Sequence, residues 1–126
     1  MIRVFVLLCC GALLAACNPF TSPQAGRALY DQNCASCHGS DGRGGAQMPD
    51  LTGLAARNDG RYPQLMVLNK LDGYARGDVV YSGVEMPEFG HLLTGRLTRV
   101  QTERGLSRPL PEKLIALDAY LQRIQR

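Results

Sequence analysis

The amino-acid sequence predicts a small and mainly helical domain. Three segments begin with proline or serine–proline start signals and continue with apolar residues at helical spacing. No segment alternates apolar and polar residues convincingly over the length of a strand. The chain of 126 residues is long enough for one such domain, and it contains no internal repeats.

The first predicted helix starts at Ser22-Pro23, because serine caps helix N-termini and proline fits the first helical position. One apolar face of this helix carries Ala25, Ala28 and Leu29. Gly26 and Tyr30 lie one above the other on a second face. We expect this helix to be about ten residues long and to run into Cys34.

Two further helices are predicted downstream. Pro63 begins the second, whose apolar residues are Leu65, Met66, Leu68 and Leu71. Pro111 opens the third, whose apolar residues are Leu114, Leu117, Tyr120, Leu121 and Ile124. Residues 39–45 are rich in glycine and are expected to form a loop, and residues 98–109 are compatible with a short extended pair.

The N-terminus has the features of a bacterial signal peptide. Arg3 supplies a positive charge, and the apolar run from Val4 to Ala16 is shorter than the roughly 20 residues that span a bilayer. The run ends in Leu14-Ala15-Ala16-Cys17, which resembles the lipobox of bacterial lipoproteins. We therefore expect a lipid on Cys17. The alternative is a plain secreted protein in which this cysteine is unused.

The chain is thus expected to have three parts. Residues 1–16 form a lipoprotein-type signal peptide, residues 17–23 form the lipidated cysteine and a short linker, and residues 24–126 form the domain. The net charge is +3, and twelve of the fourteen basic residues are arginines scattered along the chain. Scattered charge of this kind does not form the basic stripe of a nucleic-acid-binding protein, so nucleic acid is not an expected partner.

The run Cys34-Ala35-Ser36-Cys37-His38 has the C-x-x-C-H pattern that attaches c-type haem. Each thiol can form a thioether to one vinyl group of the porphyrin, and the imidazole that follows can bind the iron. We therefore expect one covalently bound haem c, held by Cys34 and Cys37 with His38 as an axial ligand. Because the chain has no Trp, the haem also supplies apolar surface to an otherwise thin core, and the apo-protein is expected to fold poorly.

Two other uses of a C-x-x-C pair were weighed against haem. A structural zinc site needs four ligands, but no cysteine follows Cys37 and His91 is the only other histidine. Thioredoxin-like chemistry expects the motif to follow a strand, and the residues before Cys34 contain no strand-like run. Both alternatives are therefore less favoured than haem.

The second axial position of the iron decides what such a haem can do. A strong protein ligand closes the site and leaves an electron carrier, whereas an open position permits oxygen or peroxide chemistry. Met48 follows His38 closely in sequence and is expected on the same side of the haem. Met66 lies on an apolar helix face, where methionine more often fills the core.

Met86 is the preferred second axial ligand. Pro87 stiffens the loop around it, and the chain between His38 and Met86 is long enough to pass around a porphyrin. His91 is the alternative ligand, although we interpret it as a partly exposed surface histidine.

Together these residues resemble the class I cytochrome c family over roughly residues 24–124. Four pieces in this order carry the resemblance: the helix with Gly26 and Tyr30, the motif Cys34–His38, the run Pro49-Asp50-Leu51-Thr52-Gly53, and Met86-Pro87. The resemblance implies an all-α, class I cytochrome c-like fold, in which the N- and C-terminal helices cross around a covalently bound haem.

The resemblance also implies roles for particular residues. Gly26 would allow close approach of the crossing helices, with Tyr30 and Tyr120 packing there. The carbonyl of Pro49 would accept a hydrogen bond from the second ring nitrogen of His38 and fix its orientation. One haem edge near the thioethers would be exposed as the port for electrons.

The function implied is electron transfer by a monohaem carrier that cycles Fe(II)/Fe(III) and is not an enzyme. Redox proteins are the expected partners, with no small-molecule substrate, and the location is the bacterial periplasm on a lipid anchor at Cys17. One alternative is an electron-transfer subunit of a larger oxidase or periplasmic dehydrogenase. Another is a haem sensor or peroxidase-like protein with a labile sixth ligand.

The chain departs from mitochondrial relatives in its charges. Its only lysines are Lys70 and Lys113, so docking through a ring of lysines is not expected. Arg57, Tyr74 and Arg76 are candidates for binding the haem propionates, with solvated surface side chains as an equally favoured interpretation.

Overall fold

The computed structural model describes residues 19–45, 48–72, 86–87, 89–102, 104–105 and 107–126. The predicted signal peptide, Cys17 and the propionate candidates Tyr74 and Arg76 lie outside these described residues. The α-helices of the described part are α1 (Pro23–Asn33), α2 (Ala35–His38), α3 (Gln64–Leu71) and α4 (Glu112–Arg123). Two strands, β1 (Leu97–Gln101) and β2 (Ser107–Pro111), precede α4. Short 3-10 turns lie at Pro19–Thr21, Leu51–Gly53, Ala56–Asn58 and Gly90–Leu93.

Helix α1 begins as the sequence predicts. The hydroxyl of Ser22 accepts a hydrogen bond of 3.2 Å from the backbone N–H of Ala25, and Pro23 occupies the first helical position. The helix ends at Asn33, and the backbone N–H of Cys34 still donates to the carbonyl of Tyr30. The haem-attachment motif therefore starts at the point where α1 stops.

Helices α1 and α4 cross at Gly26. A Cβ atom at this position would overlap the backbone carbonyl of Ala116 in α4, so only glycine permits the approach. One turn along α1, the ring of Tyr30 lies 5.1 Å from the ring of Tyr120, measured between centroids. The expectation that Gly26, Tyr30 and Tyr120 form this crossing is confirmed.

The buried face of α1 differs from the apolar face expected from its sequence. Gly26 and Tyr30 are buried, whereas Ala25 and Leu29 are half-buried and Ala28 is exposed. The physical reason is the close approach to α4, which places the glycine side of the helix against its neighbour. Hydrophobicity alone does not reveal this choice, because glycine contributes no apolar side chain.

The core lies between α1, α3 and α4. From α4 it receives the predicted residues Leu114, Leu117, Tyr120 and Leu121, and α3 contributes Val67, Leu68 and Leu71. A polar link adds to this packing, because the buried carboxylate of Asp118 accepts hydrogen bonds from Tyr62 Oη (2.9 Å) and Gln64 Nε2 (2.7 Å). The chain entering α3 is thereby joined to the middle of α4.

Met66 corrects one prediction. It was interpreted as core filler, but its side chain is 56% exposed. Residues three and four apart share a helix face, so Met66 lies on the side of the exposed Lys70, while Val67 and Leu71 face the core.

The fold is mostly helical but not all-α. Strands β1 and β2 form a two-stranded antiparallel sheet in which Thr98 pairs with Leu110 and Val100 pairs with Arg108. This hairpin covers the stretch 98–109 that was compatible with an extended pair, and extends one residue before it and two residues after it. Its alternation is weak in the sequence because polar Thr98 and Arg108 occupy inward positions beside Val100 and Leu110. Among the described residues, no helix has the length and apolar character needed to span a membrane.

Candidate haem site

The attachment motif lies on a single helical turn. The backbone N–H groups of Cys37 and His38 both donate to the carbonyl of Cys34, at 3.1 and 2.9 Å. Positions three apart lie on the same side of a helix, so this turn directs the two thiols to one side. Cys34 is buried against the core, Cys37 is exposed, and both are free thiols.

The thiol of Cys34 lacks the lowered pKa of a redox-active cysteine. Burial, and to a smaller extent the neighbouring Cys37, raises the pKa of the Cys34 thiol to about 11. Reactive cysteines of thiol–disulfide enzymes have a lowered pKa, because the thiolate is the nucleophile. The buried Cys34 is therefore protonated at neutral pH, which disfavours the thioredoxin-like alternative.

His38 is oriented by the segment that follows it. Its Nδ1 atom lies 3.4 Å from the carbonyl oxygen of Pro49, the contact that the family resemblance implied. Because a carbonyl only accepts, Nδ1 must carry the proton, and the lone pair is left on Nε2. An imidazole held in this way presents Nε2 as a ligand for iron.

Gly44 brings Pro49 to His38, and sequence reasoning missed this role. The N–H of Gly44 donates to the carbonyl of His38 at 2.8 Å, and its φ of +72° lies in the left-handed region. A Cβ atom at Gly44 would overlap the backbone carbonyls of Met48 and Pro49. The one signal in the sequence was the density of glycines after His38, which marks a loop without identifying the essential glycine.

Tyr30 fixes the other side of the same loop. Its hydroxyl donates a hydrogen bond of 2.6 Å to the carbonyl of Gly39, the residue after His38. Burial is the main reason that the pKa of Tyr30 is raised to about 12. The phenol therefore stays protonated, and remains a donor, throughout the physiological range.

Asp50 anchors the segment that carries the Pro49 carbonyl. Its carboxylate accepts from the backbone N–H and the hydroxyl of Thr52, at 2.8 and 2.6 Å, and pairs with Arg126 at 3.0 Å. The hydrogen bonds from Thr52, followed by smaller effects that include Arg126, lower the pKa of Asp50. Arg57 donates to the backbone carbonyl of Asp50, so this propionate candidate already has a partner. Its binding to a propionate stays a prediction.

The candidates for the second axial ligand lie in different surroundings. Met86 is half-buried and packs against the core cluster that contains Cys34, together with Phe89. Met66 is exposed, and Met48 lies in the loop between His38 and Pro49. Its position relative to the haem stays a prediction. His91 is exposed, as the preferred interpretation had it.

The residues present fit a covalently bound haem. Two free thiols lie on one turn, the adjacent imidazole is held with Nε2 free, and a core-facing thioether is available at Met86. This donor set combines the attachment chemistry with a soft second ligand. The assignment of each residue to its role stays a prediction.

Two comparisons with known proteins found similar sequences. The family model described as cytochrome c matches residues 23–102, which is more than half of the chain. The chain is 50% identical to cytochrome c-554(547) of Halothiobacillus neapolitanus over 32 residues, which cover 25% of this chain and 35% of that protein. No solved structure matches the chain significantly. The chain therefore belongs to the cytochrome c family, whose members contain covalently bound haem c and transfer electrons between redox partners.

Proposed function

We propose that this chain is a monohaem electron carrier of the bacterial cell envelope, with Cys34 and Cys37 as the thioether sites and His38 and Met86 as axial ligands. The single observation that carries the proposal is the His38–Pro49 contact of 3.4 Å beside two free thiols. When bound, the haem supplies a one-electron Fe(II)/Fe(III) couple.

The protein's contribution is to hold the ligands in nearly fixed positions. Pro49 and Gly44 restrain the orientation of the His38 ring, and the hydroxyl of Tyr30 joins the loop after His38 to α1. The half-buried side chain of Met86 packs against the core cluster, which places its thioether close to apolar side chains. A carrier with two retained ligands needs little reorganisation when it gains or loses an electron.

The proposed location follows from the N-terminus. Lipidation of Cys17 would place the domain on a short tether, because the turn at Pro19–Thr21 already packs against α4. At no more than about 3.5 Å per residue, such a tether keeps the domain near the membrane surface. Cys17 itself lies outside the described residues, so this part of the proposal rests on the lipobox-like sequence.

The ligand assignment is tested by absorption spectra of the ferrous protein with and without CO. We expect the wild type to resist CO and to show the weak thioether-to-iron charge-transfer band when oxidised. Met86→Ala should lose this band and bind CO readily. Met66→Ala and Met48→Ala are matched controls, because neither side chain packs against the core cluster. A Met86→Ala protein with unchanged spectra would refute the assignment, and ready CO binding by the wild type would favour a sensor or peroxidase-like protein.

The lipid anchor is tested by growing cells that express the full-length protein with radiolabelled palmitate. The wild type should incorporate label and sediment with membranes, and Cys17→Ser should do neither. Cys10→Ser is the control, because this residue leaves with the predicted signal peptide and should not affect labelling. Labelling that survives Cys17→Ser would contradict the anchor.

A further inference from the structure

The β1–β2 hairpin carries a concentration of positive charge. Residues 96–113 contain five basic and two acidic residues, so this one segment has the same net charge of +3 as the whole chain. Three of its arginines, Arg96, Arg99 and Arg104, are exposed. Leu97 is also 59% exposed, although it lies between two of these arginines. The hairpin therefore presents an apolar residue bordered by cations.

The same three arginines are unmatched within the described part of the protein. Outside the hairpin, Arg27 pairs with Asp31, Arg43 with Asp41 and Arg126 with Asp50, and within it Arg108 pairs with Asp72. The exposed Arg61 and Arg123 also have no ion pair with a described residue, so the hairpin is distinguished by having three such arginines within residues 96–104. Arg96, Arg99 and Arg104 have neither an ion pair nor a side-chain hydrogen bond with any described residue. Their charge is available for a partner.

The hairpin has one inner and one outer side. Arg108, which points inward, binds Asn69 at 2.9 Å and pairs with Asp72, so the sheet is fixed to the end of α3. The outer side carries Leu97, Arg99, Gln101, Ser107 and Pro109, all exposed. We call this set, together with Arg96 and Arg104, the hairpin face. A further contact lies at the base of the hairpin, where the backbone N–H of Glu112 donates to the carbonyl of Arg96 at 3.0 Å.

The base of the hairpin lies near the haem-attachment motif. Lys113 donates to the carbonyl of His91 at 3.4 Å, and His91 contacts Asn33 at 2.8 Å. Asn33 immediately precedes Cys34, and Cys37 is exposed three residues further on. The start of α4, which directly follows the hairpin, is therefore joined by two side-chain contacts to the part of the surface where the thioethers would form.

We propose that the hairpin face is the docking surface for a redox partner protein whose contact surface is acidic; this rests on the proposed electron-transfer function. Unmatched exposed arginines attract carboxylates from a distance, and an exposed apolar residue among them suits a contact that forms and separates quickly. A membrane is the less suitable occupant, because residues 96–113 contain no aromatic residue to insert at a lipid interface.

The test compares two small oxidants of opposite charge reacting with the ferrous holo-protein. Hexacyanoferrate(III) stands in for an acidic partner, and tris(phenanthroline)cobalt(III) is its cationic counterpart. The variant Arg99→Glu/Arg104→Glu reverses two charges of the hairpin face. The control Arg61→Glu/Arg123→Glu makes the same charge change at two exposed arginines outside the hairpin, of which Arg123 ends α4, about 16 Å from Glu112 along the helix axis.

At low salt we expect the hairpin variant to be oxidised roughly tenfold more slowly by hexacyanoferrate(III), and faster by the cobalt complex. Both effects should fade as ionic strength rises. The control variant should change each rate by less than about twofold. Equal changes of the oxidation rates in the two variants would show that only net charge matters. Unchanged rates in the hairpin variant would show that the electron port lies elsewhere. Either result overturns the proposal.

A second readout separates this proposal from the proposed function. Hexacyanochromate(III), a paramagnetic trianion, should broaden the amide signals of residues 96–104 selectively, whatever the iron does. If the ligand assignment is wrong, this broadening should still occur, whereas broadening spread evenly over all arginines would refute the docking surface.

Vesicles of phosphatidylglycerol with phosphatidylcholine test whether a membrane is the occupant of the hairpin face. The hairpin face would be assigned to the membrane instead if the Cys17→Ser protein binds these vesicles, the hairpin variant abolishes the binding, and the oxidation rates stay unchanged.

Discussion

The imidazole of His91 and the side-chain amide of Asn33 join the segment that carries Met86 to the helix that ends at the haem-attachment motif. Their Nε2 and Oδ1 atoms lie 2.8 Å apart. The amide nitrogen of Asn33 donates to the carbonyl of Leu29 at 2.8 Å, so its oxygen is the free acceptor and His91 is the donor. This contact restrains the loop between Met86 and β1, since His91 lies in the turn Gly90–Leu93 that follows Met86.

Removal of the His91 side chain should loosen the loop without unfolding the protein. We expect His91→Ala to lower the free energy of unfolding by about 1 kcal/mol, the typical net value of one hydrogen bond, and to weaken the thioether-to-iron charge-transfer band. Denaturant titration and the oxidised spectrum measure the two effects. His91→Gln keeps a donor and should restore part of both. An unchanged band in His91→Ala would show that Met86 is positioned independently of His91.

Gly26 should tolerate no side chain. We expect Gly26→Ala to lower the free energy of unfolding by about 3 kcal/mol, because its Cβ atom would force α1 away from the backbone of α4. Thermal unfolding of the holo-protein measures this loss. Gly45→Ala is the control, since a Cβ atom there has nothing within 4 Å. Equal stability of the two variants would mean that the helices can separate at little cost.

Tyr30 should make stability depend on alkaline pH. Its folded pKa of about 12 lies above the usual value of 10, so the folded state holds a proton that the unfolded chain loses first. The contribution is complete below pH 10 and is lost as the pH rises towards 12. Tyr30→Phe removes this titration and the hydrogen bond to Gly39, so it should be less stable at pH 8 and should lose stability less steeply above pH 10. Parallel curves for the two proteins in urea titrations would contradict the assignment.

Asp50 should make stability depend on acidic pH. Its folded pKa is lowered, chiefly by the hydrogen bonds from Thr52, so its contribution is present above the unfolded value of about 4 and is lost as the pH falls through the lower folded value. Asp50→Asn should therefore be less stable than the wild type at pH 7, and the difference should shrink below pH 4. Asp41→Asn, in an exposed pair with Arg43, is the control and should show a smaller difference. A constant difference from pH 7 to pH 2 would exclude this role for the carboxylate.

Loss of the haem should remove much of the fold. We expect Cys34→Ala/Cys37→Ala to lack covalently bound haem in denaturing gels stained for peroxidase activity, and to have reduced helical circular dichroism, because the haem completes a core that contains no Trp. Ser36→Ala, within the same motif but exposed, should keep both properties. A fully helical double variant would show that the protein core suffices without the cofactor.

Much of the fold was predictable because its signals are local. Ser22-Pro23 and Pro111 mark where α1 and α4 begin, and the C-x-x-C-H run specifies its chemistry by spacing alone. The family resemblance added the contacts between Gly26 and α4 and between His38 and Pro49, which the structure contains. Residue type and short-range spacing are sufficient for features of this kind.

Other features depend on which segments meet in space. The role of Gly44, the exposure of Met66 and the His91–Asn33 contact follow from packing between parts of the chain that are distant in sequence or lie on different helix faces. The β-hairpin is similar, because polar residues at its inward positions conceal its alternation, and its partners on α3 stabilise it. The sequence by itself determined the cofactor chemistry and the main helices, whereas tertiary structure decided the loop geometry, the exposed methionine and the hairpin face. The physical reason is that burial and hydrogen bonding at these sites are set by neighbours that no local pattern specifies.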